Sequence, residues 1–277
     1  MSRISEMFGR LRSEGKRGLI PFITAGDPDL TTTRELLNEL AKTGASLIEV
    51  GVPFSDPIAD GPVIQRSSMR ALRNRVDVAA SLQVISEARR EMDVPVVLFS
   101  YFNPLLQFGV ERLGEAAQRA GVDGVLVTDL APEEAEDFAA ALAKYDLDCV
   151  FLAAATSTDE RLRLIADRAS GFIYAVSRTG VTGEQVEVSS EAEKLVARLR
   201  NVTDLPIALG FGISTPEHVN EVCRYADAAV VGSAIVAKIE KLAATPDLVK
   251  QIGSFVQTLL PEEFDSPPYQ GEQGGRS

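Results

Sequence analysis

Tryptophan is absent from the 277 residues, histidine occurs once and cysteine twice, and each scarcity closes off some chemistry. His218 lies in TPEHVNEV, a segment patterned as a covering helix, and is expected at the surface. A single histidine leaves no histidine-rich metal site and no triad built on it, and no Cys/His/Asp cluster has metal-ligand spacing. Asp, Glu or Tyr must therefore carry any acid/base work. Cys149 and Cys223 share no motif and stand in apolar stretches, which reads as two structural thiols. Basic residues are also few, 28 against 40 acidic, for a net charge of -12. Such a surface repels nucleic acid and anionic lipid, so no nucleic acid and no membrane is expected as partner. No apolar run reaches the roughly 18 residues of a membrane span. The N-terminal MSRISEMFGRLRSEGKRG lacks the apolar centre of a signal peptide, and cytoplasmic residence is the expectation.

What the chain does have is a rhythm. Short apolar runs begin at Leu19, Ser46, Val94, Gly124, Asp148, Gly171, Pro206 and Ala228. Most are continuously apolar, as strands covered on both faces are. Between them come TTTRELLNELAKTG, VERLGEAAQRAG, PEEAEDFAAALAKY, TDERLRLIADRA, SSEAEKLVARLR and TPEHVNEVCRYA, amphipathic segments with Ser, Thr or Pro starts. Eight strand–helix units at this spacing predict an α/β protein, a single-domain (β/α)8 TIM barrel over residues 1–260. An extra N-terminal helix over Ser2 to Arg12 is expected at the barrel bottom. The Pro-, Gly- and charge-rich tail, 261–277, is expected to be disordered.

A barrel of this kind places its site at the carboxyl ends of the strands, often with a phosphate held after strands seven and eight. Strand seven ends in Gly210, Phe211, Gly212, Ile213, Ser214, and strand eight in Gly232, Ser233, Ala234. Glycines there admit phosphate oxygens to backbone N–H groups, and Ser233 would open a short helix whose N-terminus favours an anion. Tight turns alone would also account for either cluster. Gly183, in SRTGVTGEQ, offers a further amide. Glu49 sits in the apolar run LIEVGVPF, where a charge is costly unless paired or used. Its alternatives are an acid/base with raised pKa or an inward structural carboxyl. Asp56 and Asp60 follow in GVPFSDPIADGP, a loop in which Asx turns explain them as well as catalysis does. Tyr174, within strand six, either points a hydroxyl inward or belongs to the core.

The stretch IEVGVPFSDPIADGPVIQ, from Ile48 to Gln65, resembles the signature of tryptophan synthase α subunits, and PFITAGDP, FIYAVSRTGVTG, GFGIS and VVGSAIV follow the family in order. The likeness spans residues 2 to 260. It implies cleavage of indole-3-glycerol phosphate into indole and glyceraldehyde 3-phosphate. It makes Glu49 the principal acid/base, Asp60 the carboxylate on the indole N–H, and Tyr174 a residue lining the site. It assigns Phe22, Phe99, Leu126 and Phe211 to the indole pocket, and Gly183, Gly212, Gly232 and Ser233 to the phosphate cradle. Asp56 matches the loop that meets a β subunit in an αββα heterotetramer, where the β subunit carries pyridoxal phosphate and the α chain carries no cofactor. Ala155 departs from the family, which often has proline there, and the acidic tail is outside its pattern. The competing readings are a sugar-phosphate isomerase or epimerase, and a non-catalytic phosphate-binding barrel that regulates a partner.

Overall fold

The structure, a computed structural model, describes residues 2–176, 190–210 and 212–262. Eight parallel strands close on themselves in sequence order, the last beside the first. They are β1 (Gly18–Thr24), β2 (Ile48–Gly51), β3 (Val96–Ser100), β4 (Gly124–Val127), β5 (Asp148–Ala154), β6 (Ile173–Val176), β7 (Ile207–Gly210) and β8 (Ala228–Val231). Each falls within or across one of the eight apolar runs. The barrel is the fold that the rhythm predicted.

Around it lie α1 (Arg3–Ser13), α2 (Leu30–Lys42), α3 (Pro62–Arg73), α4 (Val78–Ala88), α5 (Phe102–Phe108), α6 (Val110–Ala120), α7 (Glu136–Ala143), α8 (Asp159–Arg168), α9 (Ser190–Arg200), α10 (Pro216–Cys223), α11 (Ser233–Leu242) and α12 (Leu248–Thr258). The helix expected from Pro132 divides into a 3₁₀ turn, Pro132–Glu134, and α7. Local chemistry sets several starts: Asp29, Thr158 and Thr215 each accept an amide from the first turn of α2, α8 and α10. Pro62 and Pro216 stand where a missing N–H costs nothing. Gly121 ends α6 in a left-handed conformation, φ 78°. Helices α3, α4, α5 and α12 were not singled out from the sequence. Among the described residues no helix is long and apolar enough to cross a membrane.

Side chains alternate between two apolar layers. Leu19, Ile23, Ile48, Leu98 and Val125 point outward into the shell beneath the helices. Ile20, Leu47, Val97, Leu126, Val150, Phe172 and Tyr174 fill the barrel interior, joined from below by Ile4, Met7 and Phe8 of α1. Phe8 meets Phe172 with ring centroids 5.7 Å apart. Helix α1 is tied down at the barrel bottom, where Ser2 donates to Asp148 at 2.5 Å and Arg3 to Asp123 at 2.6 Å. Cys149 and Cys223 are both buried and free, their thiols pushed up to about 12 by burial. His218 is half-buried, not simply at the surface: its Nδ1 is enclosed without a hydrogen-bond partner. The tail beyond Glu262, expected to be disordered, lies outside the described residues.

Candidate active site

Glu49 points into the barrel from β2, in register with Phe22 of β1 and Val97 of β3. An inward position between two apolar neighbours is a poor place for charge. The carboxyl is 1% exposed, and neither oxygen has a hydrogen-bond partner in the structure. Desolvation alone pushes its pKa up to about 8, since nothing nearby stabilises the carboxylate. At neutral pH Glu49 therefore rests largely protonated.

Asp60 stands above it in the loop between β2 and α3. Burial raises its pKa to about 6, opposed by a hydrogen bond from the Tyr101 hydroxyl to Oδ2 at 3.1 Å. The two carboxyls thus have separated acidities, one suited to hold a proton and the other to hold charge at pH 7. Tyr101, which follows β3, also accepts the Ala59 N–H at 2.9 Å and packs on Phe54 with ring centroids 5.0 Å apart. It is the clasp of the Asp60 loop. Sequence reasoning passed over it as the last residue of an apolar run. The available signal was its place at a strand's carboxyl end, where barrel sites are built. Gln65 completes the clasp from α3, donating to the Asp60 carbonyl at 2.9 Å.

Tyr174 does point inward from β6 and is 9% exposed. Burial raises its pKa well above the ordinary tyrosine range, and the negative charges of Glu49 and Asp60 add to the effect, which brings the three side chains into one site. The hydroxyl rests over Gly210 of β7, where an added Cβ would lie 2.1 Å from it. A glycine is required there by the tyrosine, not by a turn.

Phe22 and Phe99 meet edge to face, centroids 5.3 Å apart, and Phe99 is in register with Leu126, which is fully buried. Together they form an apolar wall beside Glu49. Gly51 lies against the Phe22 ring, 2.5 Å from where its Cβ would be, so this wall too is fitted around a glycine. On the far side, Gly232 leads into α11 with Ser233 as its first residue, and no side chain caps the helix. Its first-turn amides thus lack intrahelical partners, and the helix dipole leaves that end favourable to negative charge. Helix α11, opened by Ser233 as expected, runs ten residues. Gly212 takes φ 75° with no atom within 4 Å of an added Cβ, an open approach to the same end. Asp56 is exposed in the Asp60 loop and takes no part in the cluster; its neighbour Ile58 is 89% exposed. Phe211 and Gly183, also expected in the site, lie outside the described residues. Among those described, no three His, Cys, Asp or Glu side chains are grouped to hold a metal. A separate cavity of about 590 Å³, lined by Phe8, Arg12, Lys16 and Leu205, opens at the opposite end of the barrel, away from these carboxyls.

An acid held neutral beside an ionised one, an aromatic wall and an anion end is a site for a substrate that is aromatic at one end and anionic at the other. The sequence profile named tryptophan synthase alpha chain matches residues 8–259. The chain belongs to the tryptophan synthase alpha chain family. Members of the family are lyases of tryptophan biosynthesis, and this chain is one. It is 49% identical over 259 residues to the alpha chain of Solibacter usitatus, covering 94% of this chain and 97% of the relative. It is 48% identical to that of Citrifermentans bemidjiense, with the same coverage. The alpha subunit of Legionella pneumophila superposes with a TM-score of 0.86 at 35% identity, over 94% of this chain and 97% of the other. A chain of the tryptophan synthase complex of Pyrococcus furiosus does so with 0.81 at 38% identity, over 87% and 97%.

Proposed function

We propose that Glu49 and Asp60 divide the proton chemistry by which this alpha chain cleaves indole-3-glycerol phosphate to indole and glyceraldehyde 3-phosphate. The observation that carries the reading is a buried and a half-buried carboxyl in one cluster, Glu49 enclosed without a hydrogen-bond partner and Asp60 held by the Tyr101 hydroxyl, surroundings that set their acidities apart. Cleavage needs a proton delivered to indole C3, a positive charge tolerated at the indole nitrogen, and a proton removed from the adjacent glycerol hydroxyl. Glu49, neutral at rest, donates to C3. Asp60, ionised, accepts the indole N–H and stabilises the charge that develops there. The bond from C3 to the glycerol carbon then breaks, its electrons restoring the aromatic ring as the hydroxyl becomes the aldehyde. The hydroxyl proton passes to the carboxylate that Glu49 has become, so the residue ends as it began. Tyr174 packs against the ring, Phe22, Phe99, Leu126 and Phe211 enclose it, and Gly183, Gly212, Gly232 and Ser233 hold the phosphate.

A β subunit is the partner of this reading, taking the indole onward with its own pyridoxal phosphate in an αββα assembly, and Asp56 and Ile58 offer it an exposed edge of the Asp60 loop. The test is glyceraldehyde 3-phosphate release by the purified chain, with and without its β subunit. A positioned acid/base contributes about 10² to 10⁴ in rate, and Glu49→Gln should lose turnover by that factor while still binding inorganic phosphate. Normal turnover in Glu49→Gln would overturn the assignment.

A further inference from the structure

The acid/base end and the anion end of the site belong to different elements, and something must fix the distance between them. Asp60 leads directly into α3, while the anion end is the first turn of α11. On the inner side these helices meet through Ile64 of α3, Val236 of α11 and Phe22 of β1. An apolar contact of that kind resists separation but allows sliding. On the outer side stands a chain of charges. Arg70 of α3 grips Asp27, in the loop after β1, through two parallel bonds of 2.7 and 2.8 Å, and its remaining nitrogen reaches Glu240 of α11 at 2.7 Å. The Asp27 side chain is 1% exposed and that of Arg70 23%, so this fork is shielded from water in a way that surface pairs are not. Arg66, one turn earlier, makes a second fork onto Glu240 at 2.8 Å. Ser67, between them, bonds to Thr24 of β1 at 2.7 Å. Glu240 lies seven residues, two helical turns, beyond Ser233, on the same side of α11. Among these contacts Arg70 alone joins α3 to both the β1 loop and α11.

We propose that Arg70 is a positioning residue that sets the register of the Asp60 loop against the anion-binding turn of α11, by clamping Asp27 and Glu240 in one planar guanidinium. The proposal rests on the reading that the ligand spans both ends. A planar fork transmits direction as well as charge, and lysine cannot reproduce it. A substrate gripped at two points is sensitive to the spacing between them, and a misplacement of about 1 Å can cost about a hundredfold in rate.

The test compares wild type with Arg70→Lys, using two ligands. Inorganic phosphate occupies the cradle alone. An uncleavable compound in which an indole ring is joined to a phosphate by a three-carbon chain must reach both ends. Calorimetry on the full chain should show phosphate affinity within about twofold of wild type and a loss of about tenfold or more for the spanning ligand, with kcat/KM falling at least as far. Equal affinity of both proteins for the spanning ligand, with only a lowered Tm, would overturn the proposal and leave the network a bridge for stability. Parallel loss for both ligands would overturn it too, by placing the effect in the cradle itself. If Arg70→Lys fails to fold, Glu240→Ala cuts the same link from α11 and must give the same split between the ligands. The affinities do not depend on bond cleavage, so a wild type that binds the spanning ligand but releases no aldehyde refutes the assigned reaction and leaves the register claim to be judged on binding.

Discussion

A carboxyl enclosed by apolar side chains without a hydrogen-bond partner is stable only while it keeps its proton, and Glu49 is in that condition. Its folded pKa, near 8, exceeds the ordinary glutamate value of 4.5, so the folded chain binds the proton more tightly than the unfolded one. The stability associated with that proton is whole below about pH 4.5 and declines as pH rises toward 8. Glu49→Gln should therefore stabilise the fold at pH 8 by on the order of 3 kcal/mol and much less at pH 5. Urea unfolding at the two pH values measures the difference, and equal effects would contradict the isolation of this carboxyl. Under the proposed division of proton chemistry, the same two acidities set the pH dependence of catalysis. With Glu49 required neutral and Asp60 ionised, kcat/KM should follow a bell, falling below about 6 and above about 8. A profile flat from pH 5 to 9 would assign the proton transfers elsewhere.

At the scale of elements, the loop from β2 to α3 is clasped over the barrel mouth by the Tyr101 hydroxyl, which accepts from Ala59 and donates to Asp60, with Gln65 holding the Asp60 carbonyl. Tyr101→Phe keeps the ring on Phe54 and removes both bonds. Its expected outcome is about a tenfold loss in kcat/KM and an acidic limb displaced to higher pH, because the bond that lowered the Asp60 pKa is gone. Steady-state kinetics across pH checks both. Elements of this kind mark where sequence reading succeeds and where it stops. The strands were legible because most are continuous apolar runs at a regular spacing, and Glu49 was legible because it breaks such a run. Helices α3, α4 and α5 were not, since they crowd the segments around β3 and depart from one helix per strand. Tyr101 went unread, and Gly210 was read only as one of the phosphate-cradle glycines after strand seven, for a different reason. Their roles exist only across space, as a hydroxyl seated on a loop and a missing Cβ beneath a ring, and no spacing along the chain encodes either.

For the whole molecule, the two ends of the barrel do separate work. The bottom is closed by α1, with Ile4, Met7 and Phe8 driven into the interior, while the carboxyls proposed for the proton transfers and the uncapped start of α11 lie at the top. Phe8→Ala should cost about 3–5 kcal/mol of stability by leaving a cavity against Phe172. It should leave kcat/KM near the wild-type value at temperatures where the chain stays folded. Denaturant titration beside kinetics tests the pair of statements, and a matched fall in kcat/KM would show that the two ends are coupled.

Closure of the barrel also sets an order in time. Phe22, on the first strand, lies 3.5 Å from where a Cβ on Gly232 would stand, just past the last strand. One wall of the site is therefore made near the start of synthesis and the surface facing it near the end. A growing chain that has emerged only as far as β7 already carries Glu49, Asp60 and Tyr174, yet it has no α11 and no eighth strand to seat beside the first. The ribosome thus delivers these carboxyls well before the helix end that would face them, and the two sides of the site meet only when the seam is shut.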